Sequence, residues 1–195
     1  MTTATIDDTI SLITQYALDQ IGHCYVFGGA PGPMFTGCTD CSGFCNFLWG
    51  RVGGQSIPGF PHGSYDGTVH GPSTVGWLEW QGQGVGSIAR GLAKAGDLAV
   101  WQTHMGYCIS NSEMVSAQNP ASGVQRSVID GFIPGEQLVI LRLAVVGPGG
   151  ISLPLPVAGD TAQIDAVIRD IAKGDKNFVY TRMRVQRMGL PWGSA

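Results

Sequence analysis

The sequence has little charge. Only 13% of its 195 residues are Asp, Glu, Lys or Arg, about half of the share in a typical soluble domain. Fourteen acidic residues outnumber eleven basic ones, which gives a formal net charge of -3 and a pI of about 5.7. Domains that bind nucleic acid usually present a basic face, so we expect no nucleic-acid partner.

Long apolar runs are missing as well. The best candidate, residues 138–146, is short for a membrane span and is interrupted by Arg142. The first residues, MTTATIDDTI, are polar and acidic, whereas a secretory signal starts with basic residues and continues with an apolar segment. We therefore expect no membrane partner, and a protein that stays in the cytoplasm or leaves by a route other than secretion.

The number of cysteines is odd. The five cysteines are Cys24, Cys38, Cys41, Cys45 and Cys108. An odd count without a signal peptide argues against a disulfide framework, so free thiols are the expectation. The C-x-x-C pair of Cys38 and Cys41 leaves two alternatives open: a zinc site and a reversible Cys38–Cys41 disulfide. A structural zinc site typically uses two such pairs, which makes the first alternative weaker.

Glycine and proline are abundant, with thirty and eleven residues, and they indicate many turns and long loops. Apolar spacing predicts a helix over residues 7–21, stopped by Gly22, and a second from Asp40 or Cys41 to about Trp49. The secondary structure of residues 77–94 is not decided by the pattern. Five short runs rich in Val and Ile follow between residues 97 and 143. Helices followed by a strand meander predict an α+β fold with an antiparallel sheet.

The last quarter of the chain differs from the rest. Residues 1–147 carry five basic and ten acidic side chains, whereas residues 148–195 carry six basic and four acidic ones. The tail contains one predicted amphipathic helix and ends in a basic, aromatic stretch. It is too short to form a stable domain without help. We expect a domain over residues 1–147 and an extension over 148–195, which either docks onto a partner or packs back onto its own domain.

Cys41 lies in the segment TDCSGF, at the start of the second predicted helix. A cysteine in a first helical turn faces unpaired backbone N–H groups and the positive end of the helix dipole, which favour the thiolate and predict a lowered pKa. The neighbours Ser42 and Gly43 are small and leave the sulfur approachable. Taken alone, the segment fits a buried inert cysteine at least as well, because such cysteines are common.

His104 opens a predicted strand directly after another strand, across a tight connection. An imidazole there can project over a helix end and act as a general base, which needs a third group to fix its tautomer. On the next predicted strand, Ser116 is the first candidate for that group and Gln118, on the same face, is the second. The loop histidines His62 and His70 could line a substrate groove, but are expected to be idle.

The ordered set of segments resembles one family. YVFGG, DCSGF, AGDL and HMGYCISNSEMVSAQNP follow the order of the NlpC-type cell-wall endopeptidases, which typically show Tyr-Val-Trp-Gly-Gly, Asp-Cys-Ser-Gly, Pro-Gly-Asp-Leu and His-Val-Gly-Ile-Tyr. The resemblance covers about residues 7–145. It implies a papain-like α+β fold, in which the helix with the nucleophile packs on an antiparallel sheet of five to six strands, here followed by a C-terminal extension.

The resemblance also implies the roles of the site residues. Cys41 matches the nucleophile and His104 the base, while Tyr25 matches a tyrosine that lines the oxyanion region. Asp40 and Ser42 match positions that help to hold the substrate peptide.

One position departs from the family pattern. The third catalytic residue is usually His, but here that position falls on Ser116. A hydroxyl carries no charge and reaches less far, which allows for a slower enzyme. Gln118 is the alternative.

The implied activity is hydrolysis of stem-peptide bonds in peptidoglycan by a cysteine peptidase that needs no metal or other cofactor. A cell-wall hydrolase without a signal peptide suggests a bacteriophage protein, either an endolysin or a tail-associated lysin, found in the virion or in the host cytoplasm before lysis. The tail, residues 148–195, could then contact phage tail proteins. One alternative is a structural tail-tip component with a weakly active or inactive peptidase domain. A lipid acyltransferase or thiol hydrolase on the same fold is disfavoured, because no amphipathic membrane-binding surface is evident.

Overall fold

The computed structural model describes residues 6–80 and 85–144. Its helices are α1 (Ile6–Asp19), α2 (Cys41–Asn46), which continues as a π-helical stretch (Phe47–Val52), α3 (Thr74–Leu78) and a 3₁₀ turn (Arg90–Leu92). Its strands are β1 (Val85–Ile88), β2 (Leu98–Val100), β3 (Met105–Cys108), β4 (Glu113–Asn119), β5 (Gly123–Val128) and β6 (Val139–Leu143). Within these ranges no helix is long and apolar enough to span a membrane.

The strands form one antiparallel sheet in the order β1-β6-β2-β3-β4-β5. The five predicted strands and the α+β class are confirmed. Strand β1 was not predicted, because its four residues, VGSI, carry no clear alternation. It forms by pairing with distant residues of β6, with Val85 opposite Leu143, and local sequence does not contain that information.

Helix α1 confirms most of the first prediction. Ile13 and Ala17 are fully buried, as helical spacing requires of a face that packs on the core. The helix ends at Asp19, however, and Ile21 lies beyond it with 43% of its surface exposed. Gly22 then adopts a φ of +90°, a conformation that glycine tolerates and that ends the helix.

Apolar side chains cover both faces of the sheet. The larger cluster, between the sheet and helices α1 and α2, contains Trp49, Trp77, Leu98, Tyr107 and Val115. A smaller cluster on the opposite face contains Trp101, Cys108, Met114, Ile129 and Ile140. Helix α2 packs on β3 and β4, so the segment that begins with Cys41 lies against the strands that follow His104.

The expectation of free thiols is wrong for two of the five cysteines. Cys24 and Cys38 form a disulfide, while Cys41, Cys45 and Cys108 are free and buried. The cause is local: Tyr25 and Thr39 form a parallel bridge, and Thr39 donates its N–H to the Cys24 carbonyl at 3.3 Å. The two chain segments therefore run side by side. Cys38 is therefore bonded to Cys24 and not to Cys41, as the alternative of a Cys38–Cys41 disulfide required. The bond also removes the Cys38 thiol from the C-x-x-C pair that was considered for zinc.

The predicted boundary after residue 147 and the predicted helix of the extension lie outside the described residues.

Candidate active site

Cys41 is the first residue of α2, where the sequence placed it. Asp40 precedes it as the N-cap, and its Oδ1 accepts a hydrogen bond from the Gly43 N–H at 2.9 Å. This bond satisfies one of the donors that a helix leaves unpaired in its first turn. Because α2 is short and wholly buried, the cap fixes the direction in which the Cys41 side chain leaves the helix.

Backbone groups surround the Cys41 thiol, but burial dominates its protonation. Burial raises the pKa of the thiol to about 11, although the N–H groups of Met105, Ser42 and Cys41 itself act to lower it. The carboxylate of Asp40 raises the pKa further. The predicted fall in the pKa is therefore wrong in direction. The helix end does present its N–H groups, but the sequence did not show that only 8% of Cys41 is exposed.

His104 lies in the connection between β2 and β3, one residue before the strand that it was predicted to open. Its carbonyl accepts a hydrogen bond from the Trp101 N–H at 2.8 Å. The residue is 6% exposed, with its ring centroid 4.9 Å from that of Phe132 and 6.3 Å from that of Trp101. Burial lowers the pKa of His104 to about 4, although the negative charges of Asp40 and Glu136 act to raise it. The imidazole is therefore neutral at pH 7 and able to accept a proton.

Met105 connects the two residues. It follows His104 directly in the chain, and its N–H is one of the groups that act on the Cys41 thiol. The structure thus brings the first residue of α2 to the start of β3. General-base activation of the nucleophile needs a thiol and a neutral imidazole within reach of each other, and the Met105 contact brings the thiol to the residue that follows this imidazole in the chain.

Ser116 and His104 present two buried polar atoms with no hydrogen-bond partner among the described residues: Oγ of Ser116 and Nε2 of His104. Ser116 lies over Gly106, where an added Cβ would come within 3.2 Å of the serine Cβ. Gly106 is two residues after His104, so both side chains point to the same side of the sheet. The amide of Gln118 is directed elsewhere, since it donates to Ser127 Oγ at 2.6 Å.

Tyr25 lies beside this site, because its bridge to Thr39 places it next to the N-cap of α2. Partial burial raises the pKa of its hydroxyl, and the nearby charges of Cys41 and Asp40 act in the same direction. Tyr25 therefore stays protonated and can donate a hydrogen bond.

Sequence reasoning missed two groups at this site. The first is His70, which lies 2.7 Å from Asp40 and was expected to be idle. The second is the segment after β5, where Phe132 packs on His104 and Glu136 accepts the Thr103 N–H at 3.0 Å. Both contacts join residues about thirty positions apart, and no local pattern marks them.

The family model of the NlpC/P60 family matches residues 22–142. The chain belongs to the NlpC/P60 family. No curated protein matches the chain at a significant level. Among solved structures, the NlpC/P60 domain of the peptidoglycan hydrolase SagA is 25% identical and has a TM-score of 0.49, with 67% of this chain and 97% of that chain covered.

Two mycobacterial structures are also similar. The P60 domain of an antigen from M. avium subspecies paratuberculosis is 22% identical, with a TM-score of 0.50 and coverage of 70% of this chain and 95% of that chain. The peptidoglycan hydrolase RipB from Mycobacterium tuberculosis is 21% identical, with a TM-score of 0.48 and coverage of 70% and 65%. The family model and the P60 domain with a TM-score of 0.50 give this chain the NlpC/P60 fold. The family is one of peptidoglycan hydrolases that are generally cysteine peptidases.

Proposed function

We propose that this NlpC/P60 domain is a cysteine endopeptidase that cleaves stem-peptide bonds of peptidoglycan, with Cys41 as nucleophile and His104 as general base. The observation that carries the proposal is the position of the Cys41 thiol. It leaves the first turn of α2 and meets the N–H of Met105, the residue after His104. Membership of a family of peptidoglycan hydrolases supplies the substrate class.

The reaction begins from a neutral pair. The high pKa of Cys41 and the low pKa of His104 favour thiol and imidazole over thiolate and imidazolium at rest. His104 takes the thiol proton as the sulfur attacks the scissile carbonyl, and it then gives that proton to the leaving amine as the C–N bond breaks. Water, deprotonated by His104, attacks the resulting thioester, which releases the carboxylic acid and returns the proton to Cys41.

Donors near the thiol can hold the oxyanion. The backbone N–H of Cys41 lies at the helix N-terminus, and the hydroxyl of Tyr25 is a second donor. Donors that are fixed before the reaction stabilise the developing charge without reorganisation. Asp40 and Ser42 flank the nucleophile, and we assign them to holding the stem peptide.

Ser116 is the proposed orienting group for His104. Its hydroxyl and Nε2 of His104 are both buried without a hydrogen-bond partner among the residues that the structure describes. No direct hydrogen bond joins these two atoms in the structure; one water between them, or a small rotation of either side chain, would fix the tautomer with the free lone pair towards Cys41.

The biological setting that we propose is a bacteriophage one, as a tail-associated lysin or an endolysin. In this setting residues 148–195 would dock onto tail proteins. This part of the proposal depends on the basic, aromatic composition of the last stretch of residues 148–195. The alternative is a structural tail-tip protein whose peptidase domain is weakly active. A protein that is inactive on peptidoglycan but bound stably to virion proteins would favour that alternative.

Digestion of purified peptidoglycan tests the proposed activity. The full chain, Cys41→Ala and the control Cys108→Ala would be incubated with the polymer, and the released fragments identified by mass spectrometry. Cys108 is also a buried free thiol, but it belongs to the cluster on the opposite face of the sheet. We expect cleaved stem peptides from the wild type and the control and none from Cys41→Ala. Equal products from all three proteins would refute the assignment.

A further inference from the structure

Apart from the Ser42 hydroxyl, which donates its proton to Asp40, His70 meets hydrogen-bond acceptors. Its Nε2 lies 2.7 Å from Oδ1 of Asp40, and its Nδ1 lies 3.0 Å from the carbonyl of Gly71. Neither a carboxylate nor a carbonyl can donate, so both ring nitrogens must carry a proton to satisfy these contacts. The geometry therefore describes an imidazolium. The pKa agrees, because the hydrogen bond to Asp40 raises the pKa of His70 above its ordinary value.

The chain holds His70 in place with a fully buried amide. Asn46, on α2, donates from Nδ2 to the carbonyls of His70 and Pro72 at 2.9 and 2.8 Å, and its Oδ1 accepts from Trp77 at 2.7 Å. Gly71 adopts a φ of +82°, and an added Cβ there would lie 2.8 Å from Asn46 Nδ2. A larger residue at position 71 would therefore disturb the anchor.

The Asn46 hydrogen bonds hold His70 against Asp40. Its Oδ1 accepts from His70, from Ser42 Oγ at 3.1 Å and from the Gly43 N–H, while its Oδ2 accepts from the Gly28 N–H at 2.9 Å. An uncompensated carboxylate one residue before the nucleophile would oppose the thiolate, because like charges disfavour each other's ionised form. A cation on Asp40 reduces that repulsion.

We propose that His70 is a positioning residue for the nucleophile: as an imidazolium it balances the charge of Asp40 beside Cys41 and fastens residues 69–72 to the first turn of α2. The inference depends on the proposed role of Cys41. His70 acts through Asp40, and no contact between His70 and the thiol is needed.

Few titratable groups face this pair. Among the described residues, Asp40 is the one charged side chain that acts on the pKa of His70, and Ser42 Oγ, 3.3 Å from Nε2, is neutral. On the side of the nucleophile, Asp40 acts on the pKa of Cys41, of Tyr25 and of His104. A change in the charge of His70 therefore reaches Cys41 mainly through Asp40.

The test is the alkylation rate of Cys41 by iodoacetamide as a function of pH, followed by peptide mass spectrometry. His70→Gln keeps a hydrogen-bond donor but loses the charge, whereas His70→Lys keeps a charge. His62→Gln is the matched control, since His62 belongs to the same loop and is not among the described hydrogen-bond and ion-pair partners of Asp40. At pH 7 we expect alkylation of His70→Gln to be about three- to tenfold slower than that of the wild type. We expect the Lys variant and the control to remain close to the wild type.

Two results would overturn the inference: an unchanged rate in His70→Gln, or an equal loss in the Gln and Lys variants, which would indicate a purely steric role. Thermal unfolding shows whether each variant folds. If the variants do not fold, NMR titration of His70 in the wild type decides instead, with an expected pKa above 6.5 and a contrary result at or below that value. Neither readout needs peptidoglycan, so failure of the proposed peptidase activity is measured separately.

Discussion

Oδ1 of Asp40 lies 2.7 Å from Nε2 of His70, in a pair that also caps the helix of the proposed nucleophile. Burial alone would raise the pKa of Asp40, but hydrogen bonds from His70, Gly43 and Gly28 lower it to about 2. The pKa of His70 moves upward. Both shifts favour the charged pair, so the cap is strongest between the two pKa values.

The first prediction concerns stability on both sides of that range. The stabilisation from Asp40 is present above its ordinary pKa of 3.8 and lost as the pH falls towards about 2, a change of about 2 kcal/mol in the free energy of unfolding. The stabilisation from His70 is complete below pH 6.5 and lost as the pH rises through its raised pKa. Urea unfolding at a series of pH values measures both contributions to the free energy of unfolding. If that free energy does not fall as the pH rises above 6.5, the contribution of His70 is contradicted.

A second prediction concerns His104, whose pKa shift has the opposite sign. Burial lowers its pKa from 6.5 to about 4. Between these two pH values His104 is therefore protonated in the unfolded chain and neutral in the folded chain. Stability should therefore fall as the pH drops from 6.5 towards 4, by up to about 3 kcal/mol. In His104→Gln most of this slope should disappear, and a smaller part remains from His62, whose pKa burial also lowers. A variant that keeps the full slope would show that another group causes it.

These pKa shifts mark the limit of the sequence-based prediction. The order of the motifs identified the family, and strand alternation put Ser116 and Gln118 on one face of β4, with Ser116 as the first candidate to meet His104. Burial of the whole first turn of α2 was not predictable, because it depends on packing against β3 and β4. For the same reason the direction of the Cys41 pKa was wrong. His70 was overlooked because a histidine thirty residues from its carboxylate carries no local signal.

Ser116→Ala gives a third prediction. The serine Oγ is buried and has no partner among the described residues, so its removal should leave stability unchanged or raise it by up to about 1 kcal/mol. If the hydroxyl orients His104, kcat should still fall, by less than about tenfold, with little change in KM. The comparison needs peptidoglycan turnover and thermal unfolding on the same preparations. An unchanged kcat would remove Ser116 from the site.

The fourth prediction concerns the disulfide between Cys24 and Cys38, which are 14 residues apart. Closing a loop of this length stabilises a fold by about 3 kcal/mol in the chain-entropy model. The double variant Cys24→Ser/Cys38→Ser should lose about 2–3 kcal/mol in the free energy of unfolding. Thiol titration of the denatured, unreduced wild type should count three free thiols. A count of five would mean that the disulfide does not form.

The account's central claim is that Cys41 is the nucleophile, and progressive alkylation measures it most directly. Samples taken during reaction with iodoacetamide would be assayed for peptidoglycan hydrolysis, while peptide mass spectrometry gives the fraction labelled at each of the free cysteines Cys41, Cys45 and Cys108. We predict that the remaining activity falls in proportion to the labelling of Cys41, with the other two cysteines unlabelled. Full activity in protein whose Cys41 is completely alkylated would contradict the claim.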